Sequence, residues 1–190
     1  MCTALFPGIT DARVRQATCA ASLGYAKLVF VTDSLVDGNF GGVSAADAIC
    51  QDSANLVGLP GIYKAWVSSV AEGSPSQNFN HSVVPYVLVD STQTQIAANW
   101  ADLTDTVLSS PIDTTESGLL TAAPTNDVWT NTQATGIIAA ANGGHSCSNW
   151  TSIAIATGVS GKSTNPNSGF SLNTAGYACS SLARFYCFQQ

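Results

Sequence analysis

The chain has 190 residues, enough for one well-buried domain with a short appendage. Charged residues make up only 9% of it, against about 25% in an average soluble domain. Six Lys and Arg against twelve Asp and Glu leave a net charge of −6, and Arg13, Arg15, Lys27, Lys64, Lys162 and Arg184 form no cluster along the sequence. That balance excludes the basic footprint that nucleic acid, anionic lipid or a sulfated polymer requires. Polarity comes from Ser, Thr, Asn and Gln instead, a surface common in exported bacterial proteins. No apolar run approaches the roughly 18 residues of a membrane span. The opening "MCTALFPGIT" lacks the basic start and continuous apolar core of a signal peptide, so a secreted or cell-surface protein would be present here in mature form.

In chain order, "TDARVRQATCAASLG" predicts a helix from Thr10 to Ala21, and "YAKLVFVT" (25–32) a strand closed by Asp33. Ser44 followed by Asp47 resembles a capping box and Gly58 suits a helix stop, which predicts a helix over about 45–57. Ala45, Ile49 and Leu56 would share its apolar face, with Cys50 beside Ile49. "YKAWVSS" (63–69) and "VPYVLVD" (84–90) read as strands, and "IAANWADLTD" (96–105) as a short helix with Trp100 and Leu103 inward. Residues 106–175 form a long polar stretch with short strand candidates at "DVWTN", "SNWTSI" and "GFSL". "ARFYCFQ" closes the chain as a strand with Phe185, Cys187 and Gln189 on one side and Tyr186 and Phe188 on the other.

Six cysteines, Cys2, Cys19, Cys50, Cys147, Cys179 and Cys187, contain no C-x-x-C pair, and only two histidines exist to supply further metal ligands. Disulfides are therefore expected, and spacing alone permits 15 connectivities. Locality pairs Cys2 with Cys19, with a lipid-bearing Cys2 as the competing role. The remaining four can be nested, Cys50 to Cys187 outside and Cys147 to Cys179 inside, with loops that would contribute roughly 5 and 4 kcal/mol.

"FVTDSLVDGNFGGVSAADAICQDSANLVGLPGIYKAWVSS", "CSNWTS" and "YACSSLARFYCFQQ" together resemble the endostatin-like domains of bacterial surface proteins, over about residues 25–190. The resemblance implies an α+β, endostatin/C-type-lectin-like fold: a mixed antiparallel sheet with two helices and a long loop-rich lobe, stapled by the nested disulfide pairing. It also implies that the two ends of the domain lie side by side in one sheet. Residues 1–24 would be an N-terminal extension. By the same resemblance, the expected role is non-enzymatic: an adhesin-like module holding host matrix or serum proteins or glycans.

No catalytic constellation stands out. His81 and His145 are the only candidate bases, and both lie in polar loops. Asp102 with Asp105, and Asp33 with Asp37, suit helix-surface and turn-capping roles better than acid–base pairs. No cofactor is expected. Calcium is the ion to consider, because hard cations want several oxygen ligands, and the lobe carries Asn126, Asp127, Asn142, Asn149, Asn165 and Asn167. Only one of these is a carboxylate, and no Glu-Pro-Asn, Gln-Pro-Asp or Trp-Asn-Asp triplet occurs. Trp66 and Trp100 are expected in the core and Trp150 against a disulfide, which leaves Trp129 as the one candidate for an exposed position. The candidate ligand-binding residues are thus Asn126, Asp127, Trp129, Asn142, His145 and Asn149. Partners would be an extracellular protein or glycan; the alternative is self-association as a subunit of a bacterial surface filament or layer.

Overall fold

A computed structural model describes residues 11–122, 124–139, 145–154 and 157–190. Thr10, Cys2 with its expected bridge to Cys19, and Asn142 lie outside the described residues; among those described, no cysteine is a free thiol. Helix α1 (Ala12–Ser22) leads into strand β1 (Lys27–Val31), helix α2 (Val43–Leu56) and strand β2 (Tyr63–Ala65). After the single turn α3 (Pro75–Asn78) come β3 (Tyr86–Leu88), β4 (Gln95–Ala97) and a second single turn, α4 (Trp100–Leu103). Then follow β5 (Asp127–Trp129), the turn α5 (Cys147–Trp150), β6 (Thr157–Lys162), a 3₁₀ turn at Ser168–Phe170, β7 (Thr174–Ala178) and β8 (Tyr186–Gln189).

Two sheets result, ordered β2-β8-β1-β3-β4 and β5-β6-β7. The first is mixed. β1 runs parallel to β3 with Leu28 opposite Val87, and antiparallel to β8 with Phe30 opposite Cys187. The last strand thus lies between the first and β2. Both faces of this sheet are covered, so Leu28–Val31, Tyr86–Leu88 and Tyr186–Phe188 run apolar and buried on both sides rather than alternating with polar residues. Leu28, Phe30, Val87, Phe185 and Cys187 pack toward α2, Trp129 and Trp150. Val29, Val31, Tyr86, Leu88, Tyr186 and Phe188 pack toward Trp66, Ile96, Leu103 and Phe170. At about 1.5–3 kcal/mol for each large side chain buried, these two layers are the main stabilising term. Val14 of α1 joins the first layer at 1% exposure.

Disulfides join Cys50 to Cys187 and Cys147 to Cys179, with Cα–Cα separations of 5.4 and 5.7 Å. The first ties α2 to β8 across the first core layer. The second ties the α5 turn to the segment after β7.

The local chemistry corrects several sequence expectations. The α2 N-terminus is capped by Glu72, 28 residues beyond Ser44, and not by a Ser44–Asp47 box. Glu72 Oε2 accepts from Val43 N at 2.6 Å, while Oε1 accepts from Ser44 N at 3.0 Å and Ser44 Oγ at 2.7 Å. Gly42 is the cap residue at φ 101°, where a Cβ would stand 2.5 Å from Glu72 Oε2, so a side chain there would evict the cap. The C-terminus ends in a Schellman motif: Leu59 N donates to Ala54 O and Gly58 N to Asn55 O. The buried face of α2 is Val43, Ala46, Cys50, Ser53 and Ala54, whereas Leu56 is 83% exposed.

Residues 95–97 pair with β3 as a strand, which shortens the helix expected over 96–105 to one turn. "SNWTSI" is not a strand: Cys147, Ser148, Asn149 and Trp150 take φ of 49, 57, 56 and 65°, a left-handed turn. "GFSL" falls at the 3₁₀ turn; β5 pairs instead with "TGVSGK", which in turn pairs with "TAGYA". The predicted strand 63–69 is regular only to Ala65. Beyond it Ser68 N donates to Thr130 O, so the chain steps onto the second sheet.

Both edges of the first sheet are occupied. The outward N–H groups of β2 are taken by α2 side chains, Tyr63 N by Gln51 Oε1 and Ala65 N by Asp47 Oδ1, at 2.9 and 2.8 Å. Beside β4, Ser109 N donates to Ile96 O. Such cover keeps an edge from pairing with another chain.

Candidate functional site

A polar cleft opens on the second sheet, with a volume of about 470 Å³ and walls from Pro124, Thr125, Asn126, Asp127, Lys162 and Thr164. Strand register builds it. Asp127 of β5 stands directly opposite Lys162 of β6, a placement in which cross-strand side chains interact. Asp127 Oδ1 and Lys162 Nζ are 2.9 Å apart, with side chains 12% and 37% exposed. The other carboxylate oxygen accepts from Thr125 Oγ1 at 2.6 Å and from the Tyr177 hydroxyl at 3.3 Å. Burial, then the nearby Asp127 charge, raise the Tyr177 phenol above its ordinary range, so it stays a donor.

Arg184 fixes the wall. It is 2% exposed, and its guanidinium donates to the carbonyls of Thr125 (3.2 Å), Ala122 (3.0 Å), Thr32 (2.8 Å) and Asp33 (2.6 Å). The planar fork of Arg suits this multiple engagement, which a Lys point charge cannot reproduce. The Arg184 backbone adds bonds to Asp127 O and from Trp129 N. Buried Glu116 accepts from Asp33 N at 2.9 Å; desolvation raises its carboxyl above the usual range. Asn126 also lines the cleft, and its Oδ1 is buried with no protein donor.

Of the sequence candidates, the structure therefore brings Asn126 and Asp127 together. Trp129 is a correction. It is 0% exposed, its Nε1 donates to Val36 O at 3.0 Å, and its ring meets Trp150 and Tyr177 at centroid distances of 5.5 and 5.1 Å. It lies on the same strand face as Asp127, beneath the surface, and is no exposed stacking platform. His145 and Asn149 lie at the other end of β6, about 16 Å along the strand from Lys162 at 3.3 Å per residue. His145 Nδ1 is 2.9 Å from Thr157 Oγ1, and Asn149 Oδ1 is buried without a donor. They belong to the left-handed turn beside the Cys147–Cys179 bridge.

Asn165 and Asn167 spend their amide oxygens on Asn167 N and Gly169 N at the 3₁₀ turn. Among the described residues no group of three or more His, Cys, Asp or Glu stands where it can hold a metal ion. Asp102 accepts from Ala98 N, Asp105 from Val107 N, and Asp37 from Asn39 N, which makes them cap and turn residues. His81 stacks on the partly buried Trp100, 4.1 Å between centroids and 3° between planes.

The sequence reading missed Lys162, Thr125, Tyr177 and Arg184. Lys162 and Arg184 are two of only six basic residues, and a basic residue in an otherwise uncharged run was the available signal. The two disulfides suit an oxidising compartment, and no helix among the described residues is long and apolar enough to cross a membrane. Neither a scan against protein-family models nor a search of curated proteins finds a match for this chain.

Proposed function

We propose that this chain is a non-enzymatic, extracellular or cell-surface binding module of adhesin type, with an endostatin/C-type-lectin-like fold. It would hold a host matrix or serum protein, or a glycan, on the loop-rich second-sheet lobe. The observation that carries the reading is the construction of the cleft. A partly exposed ion pair opens to solvent on a sheet whose cleft wall is pinned by a buried arginine. Recognition groups on loops held by a rigid scaffold are the usual arrangement of a binding site. The side-by-side placement of β1 and β8 and the nested bridges support the proposed architecture.

The test is a binding screen of the oxidised protein against matrix proteins, serum proteins and glycans, with and without EDTA. Saturable binding that survives the chelator is expected; no saturable binding to any class overturns the reading.

A second reading, a subunit of a surface filament or layer, is favoured by one observation. The β7 edge is largely solvent-exposed, and no charged residue occurs between Lys162 and Arg184, so it lacks the charges that usually deter strand pairing. Sedimentation velocity at high concentration separates the two readings: a monomer counts against assembly, and growing oligomers support it.

A further inference from the structure

Resting on the binding-module reading, we propose that the cleft takes a neutral, polyhydroxylated ligand, a carbohydrate residue held directly by Asp127 and Lys162 without a bridging metal ion. Hydrogen-bonding capacity in the cleft selects this ligand class. An ammonium carries three donors, and Asp127 Oδ1 occupies one of those on Lys162. A carboxylate offers about four lone-pair sites. On Asp127 Oδ2 two are filled by Thr125 and Tyr177, and on Oδ1 one is filled by Lys162, which leaves one acceptor position beside the ammonium. Asn126 lines the same cleft, but its Oδ1 is sealed from solvent and stays outside this count.

The cleft thus presents donors and acceptors side by side with no net charge. A phosphate, sulfate or carboxylate can only accept, so it would gain from Lys162 and be repelled by Asp127. An ammonium or guanidinium can only donate, so it would meet the converse. A hydroxyl does both, and vicinal hydroxyls on a sugar ring offer the alternation that the Asp127–Lys162 pair displays. The lining argues against a peptide occupant. Among the described residues Pro124 is its only apolar member, whereas protein interfaces take most of their affinity from buried aromatic or aliphatic anchors.

The experiment uses the full oxidised chain on an array of neutral, sialylated and sulfated oligosaccharides, with and without EDTA, followed by titration calorimetry with the strongest neutral oligosaccharide. Lys162→Met removes the donors while keeping the aliphatic stem, and is expected to weaken binding at least about tenfold, as loss of a charge-assisted hydrogen bond would. Because that variant strands a mostly buried carboxylate, Thr164→Trp serves as the second: Thr164 is exposed at the cleft wall, and an indole there narrows the cleft while both members of the ion pair remain. The expected result is binding of neutral glycans, insensitive to EDTA and lost in both variants. Binding confined to charged glycans, abolition by EDTA, or unchanged affinity in Thr164→Trp overturns the proposal. If no glycan binds but a matrix or serum protein does, the ligand class is wrong and the binding-module reading stands; if nothing binds, both fall.

Discussion

Glu72 offers the sharpest mutational test of how the scaffold is held. Its carboxylate takes three hydrogen bonds at the start of α2, from Val43 N, Ser44 N and Ser44 Oγ, at 2.6, 3.0 and 2.7 Å. A side-chain N-cap contributes about 0.5–2 kcal/mol, and a negative charge at the positive end of a helix adds about 0.3–1 kcal/mol. Partial exposure of the site places Glu72→Ala near the lower part of that sum, about 1.5 kcal/mol. For a chain of this length each kcal/mol corresponds to about 2–4 °C, so calorimetry at pH 7 should show the melting temperature lowered by about 3–6 °C. Glu72→Gln keeps an acceptor but loses the charge and should fall between the two. The pH dependence follows from the same contacts. Burial works to raise the carboxyl, but the bonds from Ser44 and Val43 outweigh it, and the net shift is downward. A depressed carboxyl contributes stability above its unfolded value and loses it as pH falls through the folded one. Wild type and Glu72→Ala should therefore converge in acid. Equal melting temperatures at pH 7, or a gap that persists at pH 2, would refute the cap.

Asp47 works in the opposite sense. Burial raises its carboxyl to about 6, against the bond from Ala65 N that lowers it, so the folded state binds the proton more tightly and this site loses stability as pH rises from about 4 to 6. Asp47→Asn keeps an acceptor for Ala65 without the buried charge, and its melting temperature should gain on that of wild type across this window; an unchanged difference would contradict the assignment. Trp129→Ala should cost about 3–5 kcal/mol in denaturant unfolding, as a buried aromatic does, while Trp129→Phe should retain ligand affinity within about twofold; a large loss of affinity in a folded Trp129→Phe would restore a contact role. Replacing Cys50 and Cys187 together by Ala should lower stability by about 3–5 kcal/mol, since their bridge encloses most of the chain; a loss under 1 kcal/mol would show that the bridge is incidental.

The parts legible in the sequence were those written in local pattern. The apolar runs of β1 and β8, the alternation of Phe185 and Cys187 against Tyr186 and Phe188, and the Gly58 stop of α2 all signal their structure within a few residues. What was hidden depends on distant partners. Ser44 reads as a cap because Glu72 is far away in sequence, and the apolar stripe Ala45, Ile49, Leu56 misled because the helix is oriented by Cys50. β6 and β7 are poor in β-branched residues. Gly161 stands in β6 where a Cβ would strike the Phe170 carbonyl, so packing chose glycine over strand propensity. Trp129 looked exposed because its neighbours Asn126, Asp127, Thr130 and Asn131 are polar. The polarity of the last two serves interior contacts: Thr130 Oγ1 donates to Ser171 O, and Asn131 Nδ2 to Ser68 O. Two of the six cleft residues were likewise visible, Asn126 and Asp127, because acidic and amide residues draw notice. Lys162 enters through strand register alone.

The claim that matters most is where the ligand sits. Amide hydrogen exchange of the oxidised protein, with and without a saturating bound oligosaccharide or matrix protein, addresses it directly. Slowed exchange concentrated at residues 124–127 and 160–164 is the expected result. Slowing along α2 and β2 instead, with the cleft strands unchanged, would contradict it.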